Sequence, residues 1–146
     1  MLIGLAAAGC DPHYGVGRKA KLDSLPSLSR VDSIIRSVPG VRAVQYSAME
    51  LGRRITTHGL EQRPDSAFTF VYTTSANLWA SLSFEVDYQQ RVSYSQSSSS
   101  VFHRTAQEMN QAATLLRDVE MRLDNGRALP GLRHPVTEWC DETRCR

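Results

Sequence analysis

Leu78-Trp79-Ala80-Ser81-Leu82-Ser83-Phe84-Glu85-Val86-Asp87-Tyr88 has the clearest period-two pattern in the chain. Leu78, Ala80, Leu82, Phe84, Val86 and Tyr88 fall on one side of an extended backbone, and Trp79, Ser81, Ser83, Glu85 and Asp87 on the other. A strand with that pattern has one face on a core and one on water, which is the habit of antiparallel sheets covered on a single side.

The flanking segments supply its neighbours. Ala67 to Thr74 is rich in Phe, Val, Tyr and Thr and is turned at Ser75-Ala76-Asn77, and Arg91 to Gln96 returns after Gln89-Gln90 with Val92 and Tyr94 inward. Further upstream, Val41 to Glu50 reads as a strand entered through Pro39-Gly40. Residues 51 to 65, broken by Gly52, Gly59 and Pro64, read as a long mobile hairpin loop. Four strands are therefore expected.

Two helices bracket them. Leu28, Val31, Ile34, Ile35 and Val38 recur at three- and four-residue steps, with Ser27 placed to cap the start and Pro39-Gly40 to stop the helix. Phe102, Ala106, Met109, Ala113, Leu116, Val119 and Leu123 mark a longer amphipathic helix, led in by the hydroxyls of Ser97 to Ser100 and ended by Asn125-Gly126. The order helix, four-stranded antiparallel sheet, long helix implies an α+β two-layer sandwich with both helices on the apolar face. Residues 11 to 26, with Pro12, Gly15, Gly17 and Pro26, show no periodicity and read as a tether. The tail from Leu129 reads as irregular, with Trp139 packing back on the body.

A chain of 146 residues with 41% hydrophobic and 22% charged residues suits one domain, expected over 27 to 146. Net charge is +2 and the basic residues are scattered, so nucleic acid is not the expected partner. No serine sits in Gly-x-Ser-x-Gly, no Gly-rich loop joins a strand to a helix, and His13, His58, His103 and His134 lie in separate segments. No cofactor or metal is expected. Glu85 and Asp87, about 7 Å apart on one strand face, have a spacing that suits two carboxylates in acid-base work, and they support the alternative of an envelope-polymer hydrolase. The outward row Trp79, Ser81, Ser83, Glu85 and Asp87 equally suits contact with a protein partner, because an exposed Trp among polar neighbours anchors interfaces.

The N-terminus carries an address. Leu5-Ala6-Ala7-Ala8-Gly9-Cys10 resembles the lipobox of bacterial lipoproteins. The resemblance implies removal of residues 1 to 9, a diacylglycerol on the Cys10 sulfur and a lipidated start to the tether over 10 to 26, hence a chain held to a membrane by lipid. Asp11 resembles the signal that retains lipoproteins on the periplasmic face of the inner membrane. With Cys10 assigned to lipid, Cys140 and Cys145 remain as a pair for which an oxidising compartment favours a disulfide; a metal site with His134 is the competing reading. At the level of layers, the expected fold is similar to small envelope lipoproteins that serve transport or assembly machines. The expected function is then a protein-binding accessory component of the envelope, with an immunity or inhibitor lipoprotein as the rival.

Overall fold

The computed structural model describes residues 14–50, 53–56, 59–62, 66–100, 102 and 104–142. It corrects the expected four-stranded sheet to a six-stranded antiparallel one. In chain order the elements are β1 (Tyr14–Leu22), α1 (Leu28–Ser37), β2 (Val41–Glu50), β3 (Arg53–Thr56), β4 (Gly59–Gln62), β5 (Ser66–Thr74), β6 (Trp79–Val86), β7 (Val92–Ser100), α2 (Ala106–Asn125) and β8 (Thr137–Glu142). The large sheet runs β2-β5-β6-β7-β1-β8, and β3 and β4 pair as a separate two-stranded hairpin within the stretch expected to be a loop.

The two additional strands come from the stretches read as tether and as irregular tail. In β1 the inward positions are Tyr14, Val16, Arg18, Ala20 and Leu22, so alternation is present, but Arg18 interrupts its apolar half and Gly15 and Gly17 thin its outward half. The folded domain therefore starts by Tyr14, thirteen residues earlier than expected. β8 is six residues long and, among the described residues, pairs only with β1, from Lys19↔Thr137 to Tyr14↔Glu142. Seen alone, so short a strand has too few positions for a pattern.

Two further boundaries move. β7 continues through Ser100, so the serine run expected to cap the long helix is strand. The cap of α2 is Thr105, whose hydroxyl accepts from the Glu108 amide (3.1 Å) while the Glu108 carboxylate accepts from the Thr105 amide (2.9 Å). Phe102 thus lies before the helix and is 78% exposed, not the first residue of its apolar stripe. Likewise Tyr88 falls in the turn after β6 and is exposed. The cap expected for α1 is found, with Ser27 accepting from the Arg30 amide.

Both helices cover the same side of the sheet. Val31 and Ile35 of α1 and Leu116, Val119 and Leu123 of α2 are buried with Phe70, Tyr72, Leu82, Phe84 and Tyr94 of β5, β6 and β7. Each such side chain stabilises the fold by about 1.5–3 kcal/mol through removal from water. Among the described residues, no helix is long and apolar enough to cross a membrane.

Candidate functional site

Cross-strand register places the outward residues in rows. One row runs Thr69–Ser83–Ser95–Lys19–Thr137, a second Val71–Ser81–Ser97–Gly17–Trp139, and a third Ala67–Glu85–Ser93–Lys21. Short hydroxyl side chains dominate the floor, and they tie the strands to one another: Thr69 to Ser83 (2.6 Å) and Ser81 to Ser97 (3.1 Å). Small residues keep this face low, so anything that stands above it is available for contact.

Trp79 stands above it. At the start of β6 it is 59% exposed, and with Phe102 it lines a concavity of about 600 Å3 at one end of the sheet, together with Arg104 and Glu108. Arg104 is fixed there by bonds from its guanidinium to the Ser98 carbonyl and hydroxyl (3.2 Å each), and partial burial lowers its pKa. A hydrophobic platform beside a held cation is a composition typical of protein interface anchors.

Trp79, Ser81, Ser83 and Glu85 are therefore brought together as the alternation implied, all four on the outward face. Asp87 is not with them. It lies beyond β6, where one carboxylate oxygen accepts from the Gln89 and Arg91 amides (2.9 Å each) and the other from Arg91 Nε (2.7 Å). Although partial desolvation opposes it, these bonds hold the Asp87 pKa below the usual carboxylate range. Asp87 closes a turn, so it does not complete a carboxylate pair with Glu85.

Cys10 lies outside the described residues, as does Cys145. Cys140 is an exposed free thiol on β8 opposite Val16. Among the described residues, no three His, Cys, Asp or Glu side chains are grouped to hold a metal ion.

One constellation escaped the sequence reading. Between the sheet and α2, Tyr72 donates to Gln96 Oε1 (3.1 Å), the Gln96 amide donates to the Tyr94 oxygen and to the Leu116 carbonyl, and Tyr94 donates to Glu120 (3.0 Å). Arg18 completes the chain with a two-pronged contact to Glu120 (2.8 and 2.9 Å), and Glu138 bridges Arg18 (3.3 Å) to Arg117 (2.7 Å). Burial raises the pKa of Tyr72 and of Tyr94, the latter further through the charge of Glu120, and the hydrogen bond to Glu120 raises that of Arg18. Every polar group of this network has a partner, so the network fixes α2 on the sheet. Its one sequence signal was Glu120 within the apolar stripe of α2.

Comparison of the chain with protein-family models, with curated proteins and with solved structures returns no match.

Proposed function

We propose that this chain is a lipid-anchored accessory protein of the bacterial envelope that docks a protein partner on its open sheet face, with Trp79 as the anchor. The observation that carries this reading is Trp79 itself: a large side chain more than half exposed, beside exposed Phe102, on the sheet face opposite both helices. Burying an indole at an interface contributes enough for one such residue to dominate an affinity.

The lipid anchor rests on the lipobox-like Leu5 to Cys10. Cys10 precedes the first residue of β1 by four positions, a reach of at most about 14 Å even when fully extended. A protein held that closely presents its sheet within the headgroup zone or just above it, where a membrane-embedded partner is met without a long linker. Asp11 favours the inner membrane, periplasmic side.

Photo-crosslinking in the native host tests both parts. A crosslinker at Ser83 is expected to give one defined protein adduct, lost with Trp79→Ala, while a crosslinker at Met121 on the exposed side of α2 gives none. Cys10→Ala is expected to release the protein from membranes and abolish the adduct. Absence of an adduct at Ser83 would overturn the docking face, and unchanged membrane retention of Cys10→Ala would overturn the anchor.

A further inference from the structure

At the other end of the outward face, β1, β7, β8 and the segment leading into β8 enclose a concavity of about 480 Å3. Three cations line it. Lys19 and Lys21 point outward from β1, and Arg133 is brought alongside because its backbone amide bonds the Lys21 carbonyl (3.1 Å). Neither lysine has a carboxylate partner among the described residues, Lys21 donating to the Ser93 hydroxyl (2.8 Å), and Arg133 has an open ion pair with Asp23 (3.7 Å) in which both side chains are about two-thirds exposed. Lys19 and Lys21, with Arg133 only loosely paired to exposed Asp23, raise the local positive potential, and an anion entering the concavity lowers it.

The neutral lining narrows the class of anion. Ser93 and Thr137 present hydroxyls at the wall, and His134 adds a ring nitrogen. Donors thus arrive from three separate elements, an arrangement that a tetrahedral phosphate satisfies more fully than a planar carboxylate. Glu85 lines the far side and shares a row with Ser93 and Lys21, its backbone about 10 Å from that of Lys21 across two strand spacings. Glu85 forms no ion pair with Lys21, which donates to the Ser93 hydroxyl instead. It is an acceptor-only group with no partner among the described residues, so it suits an ammonium or hydroxyl at the other end of the ligand.

We infer that this concavity binds a phosphate ester carrying a hydrogen-bond-donor arm, the phosphate held by Lys19, Lys21 and Arg133 and the arm by Glu85. Such chemistry is shared by amino-alcohol phospholipid headgroups and by sugar phosphates. The inference does not depend on the docking role of Trp79 or on lipidation of Cys10.

Calorimetric titration of the folded protein with glycerophosphoethanolamine, glucose 1-phosphate and inorganic phosphate tests it, with backbone NMR shifts at Ser93 and Thr137 locating the site. Saturable binding of at least one ester is expected, tighter than inorganic phosphate, and the tighter ester identifies the headgroup or the sugar source. Lys19→Gln and Arg133→Gln are each expected to weaken it about tenfold, as loss of one charge-assisted contact does, whereas Arg30→Gln on α1 leaves it unchanged. Glu85→Gln is expected to weaken the esters and spare inorganic phosphate. No saturable binding of any probe, or equal binding by the parent, Lys19→Gln and Arg133→Gln, would overturn the site; identical ester affinity in Glu85→Gln would overturn the role of Glu85.

Discussion

The indole of Trp139 lies over the backbone of Gly17, its partner in the β1–β8 ladder, so closely that a Cβ at Gly17 would overlap the ring atoms Cε2, Cζ2 and Nε1. Gly15, one position further along the same face, has the ring edge within 3.3 Å of where its Cβ would be. The two glycines are a seat for the tryptophan, and alanine at Gly17 must displace it. Gly17→Ala is expected to lower unfolding free energy by about 1–3 kcal/mol, although alanine is ordinarily the better strand residue. In a Trp139→Ala background the same substitution should cost far less. Urea denaturation of the four proteins checks this, and equal penalties in both backgrounds would refute the seat.

Arg18 and Glu120 are 15% and 9% exposed, so each is the other's replacement for water. Glu120→Leu is expected to destabilise by about 3–5 kcal/mol, since it strands a part-buried guanidinium that keeps only Glu138, and leaves the Tyr94 hydroxyl without its acceptor. Arg18→Met with Glu120→Leu should recover a large part of that loss, because an apolar pair has no uncompensated charge. A double-mutant cycle by chemical denaturation measures the coupling, and simple additivity would argue against it.

Tyr72 and Tyr94 set an alkaline limit on the fold. Burial, joined for Tyr94 by the Glu120 charge, raises both phenol pKa values above the ordinary value near 10. A raised folded-state pKa contributes stability that is complete below the unfolded value and is lost as pH rises through and beyond it, because the unfolded chain then releases protons that the native one retains. Of five tyrosines, these two are expected to ionise only as the fold is lost. Tyrosinate absorbance followed alongside circular dichroism tests this. Ionisation of all five near pH 10 with the dichroism intact would count against it.

Cys140 gives a compartment-dependent readout. Its thiol is exposed on β8. Protein made in a reducing cytosol is expected to alkylate rapidly at Cys140 in the folded state. Protein recovered from an oxidising envelope compartment should resist labelling until a reductant opens a bond to Cys145. Equal labelling from both sources would remove the disulfide expectation.

The sequence told most where the chain obeys a single period. The alternation as far as Val86, the α1 stripe with its Ser27 cap and the middle strands of the sheet were all legible, because each packs one apolar face on the core, whereas Asp87 and Tyr88 leave the strand. β1 was hidden by the features that give it meaning: Arg18 faces inward because Glu120 awaits it 102 residues later, and Gly15 and Gly17 are outward because Trp139 covers them. Neither partner is local, and local periodicity is blind to both. At the candidate site, Trp79, Ser81, Ser83 and Glu85 followed from strand geometry alone. The departure of Asp87 into a turn depended on Arg91, and the concavity at Lys19 and Lys21 depended on a strand that had been read as tether.

The position of β1 between β7 and β8 also dictates an order of assembly. Tyr14 pairs with Ser100 and with Glu142, so β1, the first strand among the described residues, has no sheet partner until β7 has been made and is flanked on its other side only when β8 follows. Closing contacts of such long sequence separation is slow, since the entropy of the intervening loop must be lost first. During that interval the β2, β5, β6 and β7 meander can form by itself, with the β7 edge open where β1 will insert.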